Sequence, residues 1–298
     1  MWILLTILSS LFLGGYDILK KASLKENAVI PVLYIGSASS ALFFGVLVIL
    51  SHIRILEPGD FLFVPDITPK EHIMFFLKSI IVGSSWFFAY FALKHLPITI
   101  VLPIRATGPF WTIIGGLILF HERFSIMQWL GIVTVMTFFY IFSLAGKKEG
   151  INFKNNKWIF SIILATILGA ISGLYDKFLL SWHHRMAVQA WFAIYMLVVF
   201  LPFLMFMWFP KRKSTTPFQW RWAIPMIGVF LTIADYLYFY ALSYQESLIG
   251  IVSVLRRSSV AFSFVLGAII FREVNLKRKA LALTGILVGV ILILLGSG

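Results

Sequence analysis

Ten apolar runs separated by short polar stretches occupy almost the whole chain, at residues 2–19, 29–53, 73–93, 96–120, 126–145, 158–179, 187–209, 222–242, 248–271 and 280–295. Each is close to the roughly 20 residues a helix needs to cross a hydrocarbon layer of ~30 Å. The runs are continuous, whereas a membrane barrel would show segments of about ten residues alternating apolar and polar. The pattern therefore predicts an all-α membrane protein with ten transmembrane helices. Small residues recur inside the runs, as at 113–119 and 262–270, where they let helices approach closely in lipid. The first run lacks a basic leader and a small-residue cleavage site, so it reads as a retained helix and not as a signal sequence.

Composition narrows the picture. Of 298 residues, 60% are hydrophobic and 12% charged, which leaves no stretch long enough for a soluble domain. The absence of cysteine excludes disulfides, thiolate metal ligands and thiol nucleophiles. The net charge of +13 could suggest nucleic acid as a partner, but its distribution argues for a membrane instead. The connections after runs 1, 3, 5, 7 and 9 form one face, here the basic face, holding Lys20, Lys21, Lys25, Lys94, Lys147, Lys148, Lys154, Lys157, Lys211, Arg212, Lys213, Arg221, Arg272, Lys277, Arg278 and Lys279. The other face, which carries both termini, has Arg54, Lys70, Lys78, Arg123, Lys177 and Arg185 together with the acidic Glu57, Asp60, Asp66 and Glu71. By the positive-inside rule the basic face is cytoplasmic and the termini lie outside, in a multi-pass protein of the plasma (inner) membrane.

The chain also repeats itself. The segment starting at Tyr90, YFALKHLPITIVLPIRATGPFWTIIGGLILFHERF, parallels the one starting at Phe239, FYALSYQESLIGIVSVLRRSSVAFSFVLGAIIFREV, with two extra residues in the second. The Ala-Leu pairs align, as do Arg105 with Arg256 and Glu122 with Glu273, while Tyr16-Asp17 is echoed by Tyr175-Asp176. Five runs per copy make the second copy enter the membrane in the opposite sense, so residues 1–146 and 147–298 are expected to form two inverted five-helix repeats. That architecture places a solute site near the midplane between the halves.

Arg105 and Arg256 fit such a site. At 1.5 Å per residue, Arg105 lies about 14 Å from the basic face and Arg256 about 12 Å from the terminal face. A guanidinium kept in lipid is costly and reads as functional, or as a structural partner of Asp235 in run 8. Arg257 is its neighbour on a different helix face. The planar fork of arginine suits a carboxylate or phosphate. Trp86, Tyr90 and Trp111 are the aromatics expected to pack the rest of the solute. Tyr16, Asp17, Tyr175 and Asp176 read either as interfacial anchors or as elements of alternating gates, and Asp235 is the candidate for coupling to protons or another ion. Glu122 and Glu273 read as solvated boundary charges, and His183-His184 as an exposed loop pair without the third ligand of a metal site. No phosphate-binding loop, catalytic triad or cofactor motif is present, so the chain reads as no enzyme and as needing no cofactor.

The pattern LPITIVLPIRATGPFWTIIGGLILFHERFSIMQWLG, with Pro103, Glu122 and Gly131, and its second copy through Glu273 to Gly285, resembles the EamA-like branch of the drug/metabolite transporter superfamily. The resemblance covers essentially the whole chain. It implies a ten-helix carrier of a small-molecule solute with cytoplasmic termini, opposite to the charge distribution. The second copy departs from the pattern in having Val254 in place of proline and a doubled Arg256-Arg257. The reading is a secondary transporter working by alternating access on an anionic or zwitterionic metabolite. The alternative is a lipid flippase or a non-transporting assembly subunit.

Overall fold

The computed structural model describes residues 1–96, 101, 104–105, 107–144, 156–259, 262 and 276–297. Ten α-helices of eight residues or more are described: α1 (Trp2–Leu24), α2 (Val29–His52), α3 (Pro69–His95), α4 (Gly108–Leu119), α5 (Ile126–Leu144), α6 (Lys157–Trp182), α7 (Arg185–Pro202), α8 (Ala223–Leu242), α9 (Ile249–Arg256) and α10 (Leu276–Leu295). α7 runs on through a π-helical stretch, Phe203–Trp208, and a short 3-10 turn, Phe209–Lys211. No strand occurs among the described residues. Among the described residues six helical stretches are long and apolar enough to cross a bilayer: α1, α2, Pro69–Ala92 of α3, α6, Arg185–Lys211 and α8. The predicted runs each find a helix, while Pro103, Lys147, Lys148, Lys154, Arg272 and Glu273 lie outside the described residues.

Helix ends follow local chemistry. Thr68 accepts the Glu71 N–H, the Glu71 carboxylate returns to the Thr68 N–H, and Pro69 opens the first turn, which starts α3 four residues before the apolar run. Asn156 caps α6 by accepting the Trp158 N–H at 2.9 Å. Between α4 and α5 the chain turns at His121, whose φ of 51° is in the left-handed region. The Glu122 N–H then returns to the Gly116 carbonyl at 3.2 Å.

Packing joins the halves far more than it joins helices within one half. The extensive pairings are α1 with α8, α3 with α6, α2 with α7 and α8, α3 with α7, α5 with α10, α4 with α9 and α6, and α1 with α9. Exchange α1 through α5 for α6 through α10 and this set maps onto itself: α1 on α8 becomes α6 on α3, and α4 on α6 becomes α9 on α1. The ten helices are thus two repeat-like halves. The counterparts α5 and α10 run antiparallel, with Ser125 donating to the Gly296 carbonyl and Phe138 facing Gly285. Their backbones touch: a Cβ on Gly131 would stand 2.7 Å from the Gly289 carbonyl oxygen, and one on Gly289 would stand 2.9 Å from that of Gly131. α1 and α8 are also antiparallel. Ser9 donates to the Ala234 carbonyl at 2.7 Å within the two helices, and Arg221, just before α8, donates to the Ala22 carbonyl at 2.6 Å near the C-terminal end of α1.

Candidate functional site

A small cleft opens where α2, α3, α7 and α8 meet, four helices that exchange among themselves when the halves are swapped. Its walls include Ser40, Trp86, Gln189, Met196, Thr232 and Asp235. Trp86 and Asp235 stand four residues before Tyr90 and Phe239, which start the two copies, so an indole and a carboxylate occupy equivalent positions across one cavity. The hydroxyls are tied together: Thr232 donates to Ser40 at 2.8 Å, Ser40 donates to the Gly228 carbonyl at 3.0 Å, and Gln189 donates to the Thr232 carbonyl at 3.0 Å.

Asp235 leads from this cleft into a chain of charged groups. Arg256 Nη2 donates to its carboxylate at 2.9 Å, with 19% and 16% of the two side chains exposed. The same guanidinium carbon lies 4.0 Å from the centre of the Tyr238 ring. The Tyr238 hydroxyl donates to Asp176 at 3.2 Å, and the other Asp176 oxygen receives Lys78. Lys78 and Asp176 are only 2% and 6% exposed, and the ammonium sits 4.0 Å from the Phe192 ring centre and 5.0 Å from that of Phe239. Two ion pairs, one reaching the cleft and one sealed from it, are therefore joined through a single tyrosine.

Arg105 and Arg257 lie outside these pairs. The Arg257 guanidinium rests on α4: a Cβ on Gly108 would come within 2.7 Å of its Nη2, so glycine leaves it room. Arg257 is within electrostatic range of Arg105, Arg256 and Asp17, and Arg105 of the buried Tyr16. Tyr16 shares a hydrogen bond with buried Tyr90, and Lys20, paired with Asp17 at 3.2 Å, stands over both rings at 4.9 and 5.7 Å. The structure thus gathers Arg105, Arg256, Arg257, Tyr16, Asp17, Tyr90, Asp235 and Asp176 into one connected region beside Trp86. Trp111 is set apart, 40% exposed and edge-on to Phe110. Tyr175 is half-buried and donates to the Met74 carbonyl at 3.3 Å, joining α6 to α3.

Of the two arginines named as structural partners for Asp235, Arg256 is the one paired with it. Other expectations need correction. Lys78 and Lys177 do not belong to the terminal-face loops; both are buried in helices, and Lys177 donates to the Ser247 carbonyl at 2.6 Å and hydroxyl at 2.7 Å. Glu122 is not a solvated boundary charge. It is 6% exposed, and its carboxylate receives the N–H groups of Ile249 and Gly250 (3.0 Å for the latter), the open N-terminus of the helix that carries Arg256. His183 is held by Glu71 at 2.8 Å, while His184, in the short connection between α6 and α7, is exposed as expected. Lys78 was open to discovery by the criterion that picked out Arg105, since it stands alone in the apolar run 73–93. Among the described residues no group of acidic or histidine side chains could hold a metal ion.

A model of the EamA-like transporter family matches residues 1–144 and 156–295. No curated protein matches the chain. A solved structure described only as "Crystal structure of protein" superposes with a TM-score of 0.73 over 98% of this chain and 96% of its own, at 15% identity, a likeness that shows the fold.

Proposed function

The chain belongs to the EamA-like transporter family, and from that premise we propose that it is a secondary transporter moving a small anionic or zwitterionic metabolite by alternating access. Membership supplies the coarse class: a multi-pass membrane transporter of a small-molecule solute, in a family of transporters and not of enzymes. The observation that carries the finer reading is the cleft between α2, α3, α7 and α8, which lies where the exchange of halves leaves the packing unchanged and from which Asp235 leads directly to Arg256. Alternating access needs two conformations of similar energy with a site exposed to one side in each, and inverted halves provide them by trading conformations. The antiparallel packing of α5 against its counterpart α10 supports that inversion, with 1–146 and 147–298 as the repeats.

In this reading Arg105, Arg256 and Arg257 hold the anionic group, with Trp86 and Tyr90 against the remainder. Asp235 is the coupling group, because a solute that draws on Arg256 must contend with its carboxylate. Tyr16-Asp17 at the basic face and Tyr175-Asp176 at the terminal face are the gates. The termini lie outside, as the charge distribution requires. Once Lys78 and Lys177 are removed from the terminal-face loops, that distribution is more lopsided than the sequence alone suggested.

The test is a thermal-melt screen of the purified protein against organic acids, sugar phosphates, amino acids and phospholipids, followed by uptake in vesicles. A ligand that binds only the folded state raises the melting temperature. Stabilisation and uptake of a water-soluble anion supports the proposal. Stabilisation by a phospholipid alone defeats it and favours a lipid-moving protein.

A further inference from the structure

Away from the helix ends, each described carboxylate already has its cation. Asp17 pairs with Lys20 at 3.2 Å, Asp176 with Lys78, and Asp235 with Arg256 at 2.9 Å. Glu122 is held by two backbone N–H groups and faces Lys177. The sequence has twelve acidic residues. Of the remaining eight, Glu26, Glu57, Asp60, Asp66, Glu71 and Glu246 sit in connections or at a helix start, and Glu149 and Glu273, outside the described residues, flank apolar runs. No carboxylate among the described spans is left for Arg105 or Arg257.

These two cations belong to one place. The Arg257 guanidinium lies on Gly108, three residues along the chain from Arg105, and the two arginines are within electrostatic range of each other. Both are half-buried, so neither is sealed off as Lys78 is. Two guanidinium groups within electrostatic range in a poorly solvated region repel one another, and among the described residues neither has an ion-pair partner, since Asp17 is taken by Lys20. A neutral solute would leave both charges uncompensated, and a monoanion would leave one. A solute with two negative charges leaves the site neutral.

We infer that the transported solute is a dianion, such as a phosphate monoester or a dicarboxylate, and that Arg105 and Arg257 are the residues that select its second charge. This rests on the anion reading given above. Arg256, engaged by Asp235, has a different part: its link to Asp235 must loosen for it to join the solute, whereas Arg105 and Arg257 form no ion pair among the described residues, the Asp17 within range of Arg257 being held by Lys20.

The experiment compares ligands of matched shape and unequal charge by calorimetric binding to the full-length protein in detergent at pH 8. Phenyl phosphate is set against phenyl sulfate, and succinate against monomethyl succinate. The expected result is that the dianion of at least one pair binds about tenfold more tightly or better, as a second charge near two cations implies. The pair that discriminates then identifies phosphomonoester or dicarboxylate. For phenyl phosphate, affinity should fall as pH drops through about 6, where the group loses its second charge, while phenyl sulfate shows no such change. Arg257→Gln should weaken the dianion and leave the monoanion nearly unchanged, and Arg105→Gln should do the same. A Lys70→Gln control should leave both affinities as they were. If monoanions bind as well as dianions to the wild-type protein, the dianion inference fails and the anion carrier stands. If no member of either pair binds, both fail. The wild-type comparison decides even if an arginine variant does not fold.

Discussion

At the residue scale the sealed pair of Lys78 and Asp176 has the most to lose from a single change. Both groups are deep inside the protein, so removing one strands the other where water cannot reach it, at a cost of about 3–5 kcal/mol. Lys78→Met should therefore lower the melting temperature sharply, and Lys78→Met combined with Asp176→Leu should restore most of it, measured in detergent with all variants at one concentration. Failure of the double variant to recover would mean that the pair is held for more than its own neutrality. Arg105 calls for the opposite result. Arg105→Lys should keep the melting temperature, since no carboxylate among the described residues is paired with the guanidinium, yet lose most vesicle uptake, because lysine keeps the charge and discards the planar fork. Uptake at the wild-type level would remove Arg105 from the binding role. The sequence disclosed the arginines because they break long apolar runs, but it could not say which carboxylate each would meet. Asp235 is 21 positions from Arg256, and only the packing of α8 against α9 makes them partners. Lys78 and Lys177 were miscounted as loop charges because a lysine near the end of an apolar run looks the same whether it reaches out to water or is roofed by rings such as Phe192 and Phe239.

At the element scale the runs of apolar residues located every described helix, and their edges moved for identifiable reasons. α1 extends to Leu24, past the apolar run, because Lys20 folds back onto Asp17 and the Tyr16 ring and so costs the helix little. α3 starts at Pro69 because the sequence Thr68-Pro69-Lys70-Glu71 is a capping box, a polar signal that hydropathy ignores. α9 was the element least legible. Its eight residues follow Leu248, which offers no side-chain cap, and the missing acceptor for the Ile249 N–H arrives from Glu122, 127 positions earlier. Sequence reading that looks a few residues either side cannot find a cap supplied from another half. Glu122→Ala should consequently destabilise the protein by about 1.5–3 kcal/mol, the range for a hydrogen bond to a charged group, and Glu122→Gln by less, because the amide oxygen still accepts one N–H. Equal melting temperatures for wild type and Glu122→Ala would show that α9 needs no such support.

On the scale of the whole molecule, the orientation across the membrane is open to direct measurement because the chain has no native cysteine. The segments holding Lys154 and Lys211–Lys213 should face the cytoplasm. A cysteine placed at Lys154 should resist a membrane-impermeant maleimide added to intact cells, whereas one at Gly298 should react. The reverse pattern would restore the cytoplasmic termini that the family resemblance implies. Internal repetition was visible from Arg105 with Arg256 and Glu122 with Glu273, and it anticipated the self-mapping of the helix pairings. The cleft was not visible, since its walls come from four helices whose residues are ordinary serines, threonines and a tryptophan until they are brought together.

The dominance of contacts between halves reaches back to how the chain is made. α1, α3 and α5 each find their main partner in α8, α6 and α10, so during synthesis the first half sits in the membrane with its inner faces uncovered. At roughly 5–20 residues per second the second half follows over about 8–30 s, a period in which the early helices have only lipid, each other and the insertion machinery to cover Lys78, Asp17 and Ser9. Residues 1–146 expressed alone should therefore be degraded, and their co-expression with 147–298 as a separate chain should raise the steady-state amount of both. The linker between the halves would then be a convenience of delivery, with recognition between the two pieces sufficient to assemble the carrier. Accumulation of the first piece at full level on its own would show that it matures before its partner exists.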